Sequence, residues 1–137
     1  MEFKKHKIIS TPKLKYEILE EIYAYKRYGI HFCLAIFESK NGNLYKKIKE
    51  NIRITDRVVR LDKNITAVLY KYTDIKAGIK AAENLLYKLE KETRSKVSCG
   101  IVSFENSEDS LVNRAFYALE KARKDPFSKI EDDYFII

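Results

Sequence analysis

Apolar residues recur at helical spacing through Leu14, Ile18, Ile22 and Tyr25, which predicts an amphipathic helix with one buried stripe. Ser10-Thr11-Pro12 supplies a hydroxyl cap and a proline suited to the first helical position, and Gly29 supplies a stop. The pattern then changes. Phe32 to Phe37 is an unbroken apolar run, as expected of a central strand covered on both faces. Asn41-Gly42-Asn43 predicts a turn, and Leu44, Ile48 and Ile52 mark one side of a short basic helix running to about Asn51. Arg57 to Leu61 and Ile65 to Tyr72 read as two strands joined by a tight hairpin at Asp62-Lys63-Asn64. Asn64 is a residue able to take a left-handed conformation there. Ile75, Ile79, Ala82, Leu86 and Leu89 predict a long amphipathic helix to about Glu92. Val97 to Phe104 follows as a strand broken by Gly100. Asn106 or Ser107 can cap a last helix with the stripe Leu111, Ala115, Ala118, Leu119 and Ala122; Pro126 lies past its end, and Tyr134 to Ile137 is a terminal strand candidate.

The resulting order is helix, strand, helix, hairpin, helix, strand, helix, strand. A β-α-β-β-α-β core with amphipathic helices implies an α+β fold, one mostly antiparallel sheet covered by helices in a ferredoxin-like palm. With 137 residues and neither a linker nor a repeat, the chain is expected to be a single domain spanning 1–137. A hydrophobic content of 45%, with ten Tyr and seven Phe, argues against disorder. No apolar run has the length of a membrane span, and no signal-peptide stretch follows the N-terminal residues, so a soluble cytoplasmic protein without a membrane partner is expected. Cys33 and Cys99 lie within apolar runs and are read as buried, reduced thiols.

Charge adds a local feature. The net charge is +7, and residues 40–63 alone carry eight Lys/Arg against three acids, whereas residues 64–137 balance. A concentrated basic surface favours an anionic partner, although a Lys-rich solvated face has the same composition.

Four segments in order resemble the GGDEF family of diguanylate cyclases. Arg27-Tyr-Gly-Ile-His-Phe-Cys-Leu-Ala-Ile-Phe-Glu38 is similar to the family's entry into its first strand. Arg53-Ile-Thr-Asp56, followed by Arg57 to Leu61 and Ala67-Val68-Leu69, is similar to the frame around the signature. Lys96 to Val102 resembles a later strand, and Leu111 to Lys124 the closing helix. The resemblance implies the palm fold and a role in cyclic di-GMP signalling.

It also implies that catalysis is absent. In that family an Asp ending the first strand and the signature acids hold two metal ions and the nucleotide, as phosphoryl chemistry requires. Here the first-strand position is Glu38, and Asp62-Lys63-Asn64-Ile65-Thr66 replaces the signature, with Ile65 at the metal-binding acid. Only fourteen residues separate Glu38 from Arg53, and the family's guanine-binding letters are missing from that interval. No catalytic residue and no resident cofactor are therefore expected. A divergent metal-dependent nucleotidyl cyclase, with magnesium on Glu38 and Asp62, remains an alternative.

What survives is Arg53-x-x-Asp56. The resemblance implies an inhibitory-type cyclic di-GMP site there, Arg53 pairing with phosphate or guanine and Asp56 accepting from the guanine edge, with Arg57 and Arg60 adding positive potential. The bland counterpart is a surface salt bridge. His6 and His31 lack acidic partners at metal spacing, the tyrosines at 16, 23, 25 and 28 read as packing residues, and no glycine-rich phosphate loop is present. The expected function is thus binding: cyclic di-GMP, or a protein partner that includes a second copy. A nucleic-acid module using the basic 40–63 surface is the remaining alternative.

Overall fold

A computed structural model describes residues 12–40, 43–104 and 111–133. Helix α1 spans Pro12–Tyr28, strand β1 Phe32–Ser39 and helix α2 Leu44–Lys49; strands β2, Arg57–Asp62, and β3, Ile65–Lys71, form the hairpin. Helix α3, Ile75–Thr93, leads to strand β4, Val97–Ser103, and helix α4, Leu111–Arg123, to strand β5, Lys129–Asp132. The sheet order is β2-β3-β1-β4-β5. β1 lies at the centre, antiparallel to β3 and β4, while β4 and β5 run parallel. The α+β palm expected from the pattern is present.

The alternation of β1 explains how the sheet serves two cores. Leu34 and Ile36 face α1 and α4, joining Leu14, Ile18, Ile22, Phe116 and Leu119. Cys33, Ala35 and Phe37 face α2 and α3, joining Leu44, Ile48, Leu86 and Leu89. A strand with apolar residues on both faces must be sandwiched, and β1 is buried at nearly every position.

The helix ends follow local chemistry. Gly29 takes φ +69° and donates its N–H to the Tyr25 carbonyl at 2.8 Å, a left-handed stop that glycine adopts without steric cost. Asp74 caps α3 by accepting from the Ala77 N–H at 2.9 Å. Ser10, Thr11, the Asn41-Gly42 part of the expected turn, the Asn106/Ser107 cap and the strand candidate Tyr134 to Ile137 lie outside the described residues.

Four expectations are corrected. Asn64 is not among the described residues with positive φ; Tyr72 and Arg94 are the non-glycine ones. The hairpin instead absorbs its irregularity as a register shift between Arg60 and Asp62. Gly100 does not break β4, which is continuous through it. Its role is close approach, because a Cβ there would lie 2.3 Å from the Leu119 backbone nitrogen and 2.5 Å from the Ala115 oxygen. Tyr16, Tyr23 and Tyr28 are not packing residues but are each more than 60% exposed. Only Tyr25 packs inward, edge-on to Phe104 and His31. Finally, β5 was not anticipated: Lys-Ile-Glu-Asp carries no apolar period, and the strand is held by parallel pairing to β4, with the Arg114–Asp133 ion pair from α4 just beyond its end.

Candidate functional site

Arg53 and Asp56 sit in the segment between α2 and β2, where the chain turns back toward the hairpin. The Asp56 N–H donates to the Arg53 carbonyl at 3.0 Å, which folds the two side chains onto each other. The Arg53 guanidinium then grips the carboxylate bidentately, Nη2 to Oδ1 at 2.8 Å and Nε to Oδ2 at 3.1 Å. The Arg53 backbone N–H also donates to Oδ2, at 3.2 Å. Nη2 reaches further, to the Lys71 carbonyl and the Thr73 hydroxyl, both at 2.9 Å. One arginine thus ties the α2–β2 connection to the end of β3. The two partners differ in exposure: the Asp56 side chain is 1% accessible and that of Arg53 53%. Hydrogen bonding to Asp56 raises the Arg53 pKa above its usual value, outweighing the opposing effect of burial. Asp56 holds Arg53, and the outer face of Arg53 remains available.

That outer face opens on a groove of about 320 Å³ lined by Lys13, Tyr45, Lys49, Ile52, Arg53, Ile54, Asp56, Arg57 and Val58. Four cations from four parts of the chain converge there: Lys13 from α1, Lys49 from α2, Arg53 from the connection and Arg57 from β2. Among the described residues Arg57 pairs with Glu17 at 3.9 Å, a distance at which the pair is weak. Arg60 does not line this groove. It stands three positions from Arg57, on the other face of β2. Lys40 is elsewhere too, so the basic 40–63 run is divided among several surfaces rather than forming one stripe.

Behind Arg53 lies a smaller pocket of about 130 Å³, lined by Asn51, Ile52, Arg53, Asp56, Tyr70, Ala81, Asn84, Leu85 and Lys88. Tyr70 is 3% exposed and its hydroxyl has no hydrogen-bond partner among the described residues. Sequence reasoning missed this residue because a tyrosine inside an apolar strand reads as core. A third concavity, about 500 Å³, is lined by Glu38, Ser39, Lys40, Asn64, Ser95, Lys96, Ser98 and Arg123. Here Arg123 of α4 grips Glu38, through Nε to Oε1 and through Nη2 to Oε2 at 3.2 Å.

With this geometry in hand, solved structures provide a fold assignment. The GGDEF domain of YfiN (TpbB) from Pseudomonas aeruginosa superposes with a TM-score of 0.77 over 90% of this chain and 94% of that one, at 12% identity. The GGDEF domain of DgcB from Caulobacter crescentus, in complex with c-di-GMP, gives 0.74 over 88% of each chain, also at 12% identity. This is the GGDEF fold. The diguanylate cyclase SiaD from Pseudomonas aeruginosa, in complex with its activator SiaC, gives 0.71 at 16% identity over 88% of this chain and 56% of that one. No family model matches the sequence. No curated protein matches it either.

Within this fold, the positions that the resemblance linked to metal lie on β1 and β2, on either side of β3. Glu38 and Asp62 are both registered against Ile65, from opposite sides of β3. Two strand spacings, about 10 Å, therefore separate their backbones, and the residue between them is a buried isoleucine. Glu38 is already paired with Arg123, and Asp62 is exposed on the edge strand, accepting from the Lys63 N–H at 2.7 Å. Among the described residues no three His, Cys, Asp or Glu side chains converge. This donor set does not fit a two-metal centre of the kind phosphoryl transfer uses.

Proposed function

We propose that this chain is a non-catalytic GGDEF-fold signalling domain that acts by binding a cyclic dinucleotide, cyclic di-GMP being the favoured ligand. The observation that carries this reading is the convergence of Lys13, Lys49, Arg53 and Arg57 on one groove. A phosphodiester needs forked donors and positive potential, and Arg53 presents a guanidinium already oriented by Asp56. Pre-orientation lowers the ordering cost of binding. The DgcB complex gives a precedent for c-di-GMP on this fold. In this reading Asp56 acts through Arg53, and Arg60 contributes only long-range potential.

Titration calorimetry with cyclic di-GMP tests the proposal. Wild type is expected to bind, and Arg57→Ala and Lys49→Ala to weaken binding about tenfold each while melting like wild type. Folded wild-type protein giving no heat with millimolar ligand sinks the reading. Incubation with GTP and Mg²⁺ or Mn²⁺ is expected to release no pyrophosphate; release would overturn the non-catalytic part.

A second reading has its own observation. Tyr16, Leu19 and Tyr23 form an exposed stripe on one face of α1, the kind of patch that serves a protein partner. Light scattering across a concentration series tests self-association, with Tyr23→Glu as the control, and an invariant monomer mass removes the second copy as that partner.

A further inference from the structure

The pocket behind Arg53 differs in chemistry from the cationic groove in front of it. Ile52, Ala81 and Leu85 contribute apolar side chains to it, and its polar lining comes from Tyr70, Asn51, Asn84, Lys88 and the Arg53–Asp56 pair. A phosphate would favour the side with four cations. A planar heterocycle needs apolar surface and placed hydrogen-bonding groups, and the rear pocket supplies both. Its volume matches about four waters, enough for the edge of a base whose remainder lies in the mouth.

Tyr70 gives the second and independent indication. A buried hydroxyl without a partner is unfavourable, and Phe would serve the strand and the core equally well. The hydroxyl belongs to a side chain that is 3% exposed and that lines this pocket. Burial raises its pKa, so it stays a neutral donor and acceptor throughout the accessible range. Arg53 and Asp56 line both concavities, so the two are neighbours on either side of the Arg53–Asp56 clamp.

We infer that the pocket closed by Tyr70 takes the base of the nucleotide whose phosphate lies in the Lys13–Lys49–Arg53–Arg57 groove, with the Tyr70 hydroxyl hydrogen-bonding the base edge. The inference rests on the binding reading above and adds a specificity-determining residue to it. Arg53 then separates the two halves of the ligand, phosphate on one side and base on the other.

The experiment compares two probes, cyclic di-GMP and inorganic pyrophosphate, on wild type, Tyr70→Phe and Arg57→Ala. Tyr70→Phe is expected to lower affinity for cyclic di-GMP about tenfold, to leave pyrophosphate binding unchanged, and to melt no lower than wild type because an unpaired hydroxyl is removed. Arg57→Ala is expected to weaken both probes. If Tyr70→Phe binds cyclic di-GMP like wild type, or weakens both probes equally, the base pocket is overturned while the binding reading stands. If wild type binds pyrophosphate but not cyclic di-GMP, the cyclic dinucleotide assignment falls together with the base pocket. If it binds neither, the binding reading itself has failed.

Discussion

Removing the Asp56 carboxylate isolates the clamp that shapes the site. In Asp56→Ala, Arg53 loses its bidentate partner, and the Arg53 backbone N–H loses its acceptor. The Lys71 N–H loses a long contact of 3.4 Å. Charge-assisted hydrogen bonds of this kind contribute about 1.5–3 kcal/mol each in net terms. Arg53 is half exposed and keeps its bonds to Lys71 and Thr73, so water and those partners recover part of the loss. The expected cost is about 2–3 kcal/mol. The reverse truncation, Arg53→Ala, leaves a carboxylate that is 1% exposed without its cation and is expected to cost more, about 3–4 kcal/mol. For a domain of this size, about 4 °C of melting temperature corresponds to each kcal/mol, so Asp56→Ala should melt about 8–12 °C lower. Urea unfolding followed by circular dichroism measures both variants and the double mutant. The double mutant should be more stable than the sum of the single effects predicts, with a coupling of about 1–2 kcal/mol. Additive losses, or an Asp56→Ala cost below about 0.5 kcal/mol, would refute the view that the pair locks the connection to β3.

Gly100→Ala should prevent α4 from docking and cost more than about 3 kcal/mol, because its Cβ meets helix backbone rather than a movable side chain; soluble yield and urea unfolding check this. Gly78→Ala places a Cβ 2.7 Å from the Cys33 sulfur and should destabilise by about 1–2 kcal/mol, with Cys33→Ala in the same chain restoring most of the loss. Cys33, pushed up to about 12 by burial and then by Asp74, and Cys99, raised by burial, should resist a thiol reagent at pH 8 in the native state and react fully in denaturant. Since these folded-state values lie above the ordinary thiol value of 9.0, the unfolded chain releases protons first. Stability should therefore hold below pH 9 and fall as pH rises toward 12, read by unfolding midpoints across that window.

How far the sequence discloses the molecule depends on which force places each part. The stripes Leu14-Ile18-Ile22 and Leu111-Ala115-Leu119 and the run Phe32 to Phe37 announce themselves, since burial of periodic apolar residues is the dominant favourable effect. β5 is silent because Lys129–Asp132 is held by parallel pairing to β4, and backbone pairing leaves no periodic trace in the letters. At the site, Arg53, Asp56 and Arg57 are legible as letters, but their division of labour is not. Nothing in the spacing says that Asp56 is buried or that Lys13, forty residues away from Arg53, shares the groove. Tyr70 is hidden for a different reason, since a lone hydroxyl in an apolar strand becomes visible only when its neighbours are known. The tyrosines of α1 mislead because the same helical spacing suits an inner stripe and an outer one.

The strands at the two margins of the described sheet carry a further consequence. β2 has Arg57, Arg60 and Asp62, and β5 is four residues long with three of them charged. Unpaired strand margins invite other chains to add on, and short length and charge are what discourage it. The arginines of β2 are therefore expected to discourage polymerisation of the protein through its own sheet. Neutralising Arg57 and Arg60 together is expected to favour fibre-like self-pairing, so positive charge at this margin has a use that is independent of the proposed ligand.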